Sequence, residues 1–150
     1  MLGIVEEASI REVDKLYRIE QECFPEGALT KDHLAFLIAD GDYPSLVYKR
    51  KEEIVAFIIG RIIPDTQPIK GHILTLDVSP TYHGQGIGTL LLQRMEEELR
   101  NKGVKLCSLE VREDNTPALN LYQKAGYHSH SILPNYYGDE DGVLLQKNLP

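Results

Sequence analysis

The sequence predicts a single α/β (α+β) domain, and three observations carry the prediction. Short runs rich in β-branched and aliphatic residues, at 54–63, 72–78 and 104–111, read as strands. Between them lie stretches whose apolar residues recur at helical spacing, as at Leu90, Leu91, Met95 and Leu99. At 150 residues, 42% hydrophobic and 26% charged, the chain can bury one sizeable core, and one domain spanning 1–150 is the default.

Each element has a local reason. Residues 4–8 form a short first strand. Ser9 starts a helix with a capping box, because Glu12 lies three residues on. Val13, Leu16, Tyr17, Glu20 and Cys23 trace its stripe, apolar except at Glu20, and Phe24-Pro25-Glu26-Gly27 breaks it. Thr30 caps a second helix, with Leu29 and Leu34 placed as a hydrophobic staple and Leu34, Leu37 and Ile38 as the buried edge. Strands 45–49 and 54–63 are joined by the charged turn Arg50-Lys51-Glu52-Glu53, a β-hairpin by composition. A polar, proline-bearing loop at 64–70 leads to strand 72–78, which Ser79-Pro80 ends. After the turn at 83–88 comes the third helix, with Arg100 and Lys102 where cations suit the dipole and Gly103 as its stop. Strand 104–111 follows, then Thr116 and Pro117 as N-cap and N1 of a helix that ends at Gly126. Residues 127–132 and 143–148 are the last strands, giving the order β-α-α-β-β-β-α-β-α-β-β.

The net charge of −7, from 16 Lys and Arg against 23 Asp and Glu, argues against a nucleic-acid-binding surface, which would show a basic stripe. An anionic ligand remains open, since backbone N–H groups and a few cations can hold one. No apolar run is long enough to span a bilayer, and Met1-Leu2-Gly3-Ile4-Val5-Glu6 does not read as a secretory signal, so no membrane partner is expected. The two cysteines, Cys23 and Cys107, make neither a disulfide framework nor a metal pattern. They read as buried free thiols in a cytoplasmic protein, with no metal expected. No repeat or linker divides the chain.

The most informative stretch is 71–103, a strand, a glycine-bearing turn and a helix. A helix start leaves backbone N–H groups unpaired and carries partial positive charge. Gly84, Gly86 and Gly88 remove the Cβ atoms that would hold a phosphate away from those groups. The same glycines could equally serve only a tight connection. No Lys-Ser or Lys-Thr follows, so this is not a Walker loop, and the spacing is not a Rossmann fingerprint. Strand alternation puts His72 on an interior face with Leu74, Leu76 and Val78, and Glu110 on a face with Val104, Leu106 and Ser108. A carboxylate so placed is paired, raised in pKa, or both; an ion pair with Arg112 is one reading of it. Tyr122 sits among Ala118 and Leu121 as a core aromatic, and Asn115 suits a turn. Adjacent Tyr136 and Tyr137 in a polar loop favour a surface role.

His83-Gly84-Gln85-Gly86-Ile87-Gly88 resembles the acetyl-CoA pyrophosphate loop of the GCN5-related N-acetyltransferases (GNAT), whose pattern is Gln/Arg-x-x-Gly-x-Gly/Ala. Leu109-Glu110-Val111-Arg112-Glu113-Asp114-Asn115-Thr116-Pro117-Ala118, continuing through Leu121-Tyr122 to Gly126-Tyr127, resembles a second block of that family. His83 departs from the usual Gln or Arg, which weakens a side-chain contact more than the assignment. The resemblance spans nearly the whole chain and implies a mixed sheet of about seven strands flanked by four helices.

Within the family, the chain looks most like the ribosomal-protein alanine acetyltransferases and archaeal N-terminal acetyltransferases. The resemblance implies direct acetyl transfer from acetyl-CoA to the α-amine of a protein or peptide, ribosomal proteins among the candidates, by a monomer or homodimer. It assigns Glu110 as general base, His72 as its helper and Tyr122 as the acid that protonates the departing thiolate. The cofactor would meet Leu76, Val78, His83, Gly84, Gln85, Gly86, Ile87, Gly88, Thr89, Asn115 and Tyr122, with a backbone N–H near Val78 holding the oxyanion. Phe24, Pro25, Glu26, Tyr136 and Tyr137 would wall the acceptor site. Two alternatives stay open: a lysine side chain, polyamine or small amine as acceptor, and a non-catalytic acyl-CoA-binding module.

Overall fold

The computed structural model describes residues 3–150. In chain order it contains β1 (Gly3–Glu7), α1 (Val13–Cys23), α2 (Lys31–Ala39), β2 (Ser45–Arg50), β3 (Glu53–Ile63), β4 (Lys70–Val78), α3 (Ile87–Asn101), β5 (Leu106–Arg112), α4 (Thr116–Lys124), β6 (His128–Tyr137) and β7 (Glu140–Asn148). The seven strands form one sheet in the order β1-β2-β3-β4-β5-β7-β6, in which only β4 and β5 run parallel. The element order is the one the sequence predicts, as are the single domain and its mixed sheet.

The two faces of the sheet carry separate cores. On one, Leu91, Leu92, Met95 and Leu99 of α3 are fully buried against Ile58, Ile73, Leu109 and Leu145. On the other, Leu16 and Ile19 of α1 and Leu34 and Leu37 of α2 pack on Val47, Phe57 and Ile59. Strand alternation lets β3 serve both cores at once, with Ile58 on one side and Phe57 and Ile59 on the other. Burying each such side chain contributes about 1.5–3 kcal/mol before the entropy cost of ordering it.

Local signals hold with three adjustments. The Ser9–Glu12 capping box is present but caps a 3-10 turn, Ile10–Glu12, that runs on into α1. The β2–β3 turn is narrower than its charged sequence suggests: Lys51 and Glu52 alone make it, with φ of 52° and 66°, as a two-residue hairpin requires. The N-cap of α4 is Asn115 rather than Thr116, its side-chain oxygen accepting from Ala118 N–H at 3.2 Å. Thr30 caps α2 as expected, accepting from His33 N–H at 3.1 Å.

The chain's last hairpin is more extensive than its composition suggests. β6 runs to Tyr137 and β7 starts at Glu140, so Tyr136 and Tyr137 end a strand instead of lying in a loop. The first half of β6 is the strand expected at 127–132; its extension through 133–137 is hidden because Pro134 interrupts a polar edge strand.

Candidate active site

β4 and β5 are paired over Lys70↔Leu106, Gly71↔Cys107 and His72↔Ser108, after which β4 continues to Val78 and β5 to Arg112 without each other. A wedge opens between them. Ser79 N–H donates to Val55 O on β3 at 2.8 Å, so alternation turns the backbone groups of Val78 and Leu76 the other way, into the wedge. Leu76 and Val78 also lie below the start of α3, near the Cβ position of Gly88.

The three glycines of the turn divide the work. Gly84 and Gly86 have φ of 78° and 81°, left-handed values that a side chain would strain, and a Cβ on either would meet nothing within 4 Å. That open space is the cradle an anion needs. Gly86 is the N-cap of α3 and offers no side chain of its own, so the helix start is left to backbone N–H groups. Gly88 is different: a Cβ there would stand 3.1 Å from Leu121 Cδ1, so its role is the close approach of α3 to α4. Ile87 is buried beside it and Thr89 is exposed. The His83 ring does not reach outward as a phosphate ligand. Its Nε2 donates to Val78 O at 2.7 Å, and the Cys23 thiol shares that carbonyl at 3.3 Å.

Below the wedge, His72 joins Ser108 and Glu110. Its Nδ1 lies 2.8 Å from Ser108 Oγ and its Nε2 2.8 Å from Glu110 Oε1. An ionised carboxylate only accepts, so the bond to Glu110 is donated by Nε2–H, and the Ser108 hydroxyl, which can donate or accept, completes the ring's second bond at Nδ1. Both side chains keep partial access to solvent, at 19% for His72 and 20% for Glu110. Arg112 is not the partner of Glu110; it is bound by Asp114 at 3.0 and 3.1 Å.

The faces of β4 differ from simple alternation. Gly60 pairs with Ile73 and Ile59 with Thr75, so Leu74 is an inserted residue, a β-bulge. Ile73, Leu76 and Val78 consequently pack with the α3 core, while Thr75 and Asp77 point towards α1. His72, next to Ile73, shares the α1 face and not the face of Leu76 and Val78.

Tyr136 and Tyr137 stand beside this group, ring centres 4.9 Å apart and edge-on. Burial raises the Tyr136 hydroxyl's pKa, and the charge and hydrogen bond of Glu110 raise it further. Tyr137 is pushed up to about 12 by burial, by Tyr136 and by Glu110, with Arg112 opposing. Tyr122 approaches from α4, only 8% exposed and edge-on to Tyr127 at 5.8 Å. Burial foremost, then the charge of Asp77, keeps its hydroxyl protonated at any ordinary pH.

Three residues that the sequence does not mark as functional form a buried cluster between α1 and β4. Glu20 is 2% exposed and Asp77 0%, and Thr75 Oγ1 bonds both carboxyl groups, at 3.3 Å to Glu20. Glu20 Oε2 accepts from Leu29 N–H at 3.0 Å and ties down the segment holding Phe24, Pro25 and Glu26. Burial drives Asp77 well above the usual carboxylate range, aided by the hydrogen bond and charge of Glu20. Cys23 is pushed up to about 12 by burial and by Asp77 and Glu20 in turn, which makes it an inert thiol. The one sequence signal for this cluster is the charge interrupting the stripe of α1 at Glu20. Phe24 is 37% exposed and Leu74 38%, leaving apolar surface open to solvent. Among the described residues, no His, Cys, Asp and Glu group could hold a metal, and no helix is long and apolar enough to cross a membrane.

The profile of the Acetyltransferase (GNAT) family matches residues 13–127. The chain is 31% identical to an N-alpha-acetyltransferase of Sulfurisphaera tokodaii, over 94% of this chain and 90% of that one. It is also 31% identical to the [ribosomal protein bS18]-alanine N-acetyltransferase of Escherichia coli, over 86% of each. Among solved structures, Ard1 of Thermoplasma volcanium superposes with a TM-score of 0.90 at 25% identity, over 100% of this chain and 99% of that one. The fold is shared with NAA60 of Arabidopsis thaliana in complex with acetyl-CoA, at a TM-score of 0.88 and 20% identity over 98% of both.

Proposed function

Because the chain belongs to the acetyltransferase (GNAT) family, we propose that it transfers an acetyl group from acetyl-CoA to the N-terminal α-amine of a protein or peptide. The observation that carries this reading is the His72–Glu110 pair, 2.8 Å apart at the base of a wedge whose mouth is a glycine-cradled helix start. Relatives named N-alpha-acetyltransferase and [ribosomal protein bS18]-alanine N-acetyltransferase support the choice of acceptor.

The open space at Gly84 and Gly86 fits a pyrophosphate, which the backbone N–H groups at the start of α3 would hold. The inward-facing backbone of Leu76 and Val78 would pair with the amides of an extended pantetheine arm, with Asn115 at its far side. Bound there, acetyl-CoA supplies an activated acyl thioester.

The remaining work belongs to the side chains. Glu110 Oε1 takes a proton from the incoming ammonium, directly or through one water, and His72 Nε2–H steadies the carboxylate in the orientation that does so. The Val78 N–H, directed into the wedge, stabilises negative charge on the acyl oxygen. Tyr122, its proton retained by burial, delivers that proton to sulfur. Phe24, Pro25 and Glu26 on one side and Tyr136 and Tyr137 on the other enclose the end of the acceptor chain.

An α-amine has a pKa of about 7.7–8.0 and is roughly a tenth neutral at pH 7, whereas a lysine at about 10.4 is neutral to only a few parts in ten thousand. A base with partial solvent access therefore suits the α-amine. A matched pair of peptides tests the assignment, one with a free N-terminus and no lysine, the other blocked and carrying an internal lysine. The free N-terminus should give far the higher kcat/KM; comparable values would overturn this reading in favour of a lysine or small-amine acceptor.

A further inference from the structure

The glycine loop is joined to a cation from elsewhere in the sheet. Arg50, the last residue of β2, donates from Nη1 to Gln85 Oε1 at 2.8 Å. Gln85 stands between Gly84 and Gly86, both of which have left-handed φ. The guanidinium carbon lies 5.2 Å from the Tyr82 ring centre and 5.9 Å from that of Tyr48, and Nε is buried without a hydrogen-bond partner.

Lys15, Lys31, Lys49, Arg94, Arg100, Arg112 and Lys147 each face a carboxylate within 4 Å. Arg50 is one of several cations that face no carboxylate among the described residues, and it reaches the glycine loop through Gln85. The loop at 79–89 contains no Lys or Arg, and the ring of His83 is committed to Val78 O. In a chain of net charge −7, an arginine held behind an anion cradle by aromatic rings and one amide is placed to act on the anion.

We propose that Arg50 is the positioning cation of the cofactor loop. It holds Gln85 so that the N–H groups around Gly84 and Gly86 converge, and it adds a permanent positive charge behind them. Affinity for the phosphate-bearing part of coenzyme A, rather than for its thioester arm, then depends on a residue of β2. This inference rests on the reading of the loop as the coenzyme A site, so binding of coenzyme A by the wild-type protein is measured first; its absence would overturn that reading whatever Arg50 does.

Given wild-type binding, Arg50→Met keeps an apolar stem over Tyr82 and removes the charge and the hydrogen bond. Calorimetry with coenzyme A should show Kd raised roughly tenfold, the scale of one charge-assisted hydrogen bond. The salt dependence of binding should also flatten. Turnover of acetyl-pantetheine, which lacks the phosphates, should keep its kcat/KM within about twofold of wild type. Gln85→Ala, which leaves the charge but cuts the link, should weaken coenzyme A binding in the same sense by a smaller factor. Unchanged coenzyme A affinity in Arg50→Met, or equal losses on both ligands, would overturn the proposal. Unchanged affinity in Gln85→Ala would overturn the positioning half of it.

Discussion

Ser108 faces His72 across the last paired position of β4 and β5, and its hydroxyl meets Nδ1 at 2.8 Å while Nε2 meets Glu110 at the same distance. The carboxylate, which only accepts, calls for the proton on Nε2, and the serine hydroxyl bonds the other nitrogen and holds the ring in the plane that reaches Glu110. Glu110→Gln removes the base and should lower kcat by about 10²–10⁴, most at low pH where few amines are neutral. Ser108→Ala removes only a neutral hydrogen bond and should cost about tenfold or less. Equal losses in the two variants, from pH–rate profiles on folded protein, would contradict this division of roles.

Tyr122→Phe leaves the aromatic packing against Tyr127 but removes the buried hydroxyl. Turnover should fall by about 10²–10³, with KM for peptide nearly unchanged, because the tyrosine lies on the α3–α4 side of the sheet and His72 on the other. A rise in peptide KM with kcat preserved would show a binding role instead.

Gly86 combines a φ of 81° with an open Cβ direction. Gly86→Val both strains the backbone, by roughly 1–2 kcal/mol, and fills the cradle. Coenzyme A binding should weaken by a few kcal/mol, on the order of two charge-assisted hydrogen bonds at about 1.5–3 kcal/mol each. A folded variant with wild-type affinity by calorimetry would leave the turn a purely structural connection.

Asp77 gives the fold a pH dependence of unusual sign. Its carboxyl is raised by burial and by Glu20, so the folded protein retains a proton that the unfolded chain releases near pH 3.9. Its contribution to stability is thus fully present below that pH and is lost as pH rises towards the folded pKa. Asp77→Asn keeps an acceptor for Thr75 and offers Glu20 an N–H donor without a proton to lose. Its Tm relative to wild type should rise as pH increases above about 4, until the folded protein too has released the proton. Parallel Tm curves for the two proteins would show that no proton is held there.

The sequence displays its elements in order because each carries a local signal: the capping box at Ser9, the glycine stop at Gly103, the alternation of β3. It hides what depends on register. One inserted residue at Leu74 changes the face of His72, and no periodicity in 72–78 announces it. The polar edge strand β6 lacks the apolar alternation of a buried strand, so Tyr136 and Tyr137 read as loop. The roles proposed for Glu110 and Tyr122 come from the resemblance, whereas those proposed for Ser108 and Arg50 come from partners 36 and 35 residues away in sequence. Glu20 is visible as a defect in a stripe, but its partner Asp77 lies in a different element.

Among the described residues, the three paired positions between β4 and β5 are the only strand ladder joining the β1–β4 half of the sheet to the β5–β7 half. A ligand lying in the wedge and bonded to the inward-facing groups of Leu76 and Val78 would stand in for the missing ladder. Saturation at a hundred times Kd adds about 2.7 kcal/mol to the stability of the folded state. That gain would fall on the seam itself, slowing the local opening that exposes amides of β4 and β5 to exchange. The protein would be a more cooperative unit while loaded than while empty, its own substrate serving as the strand its sheet lacks.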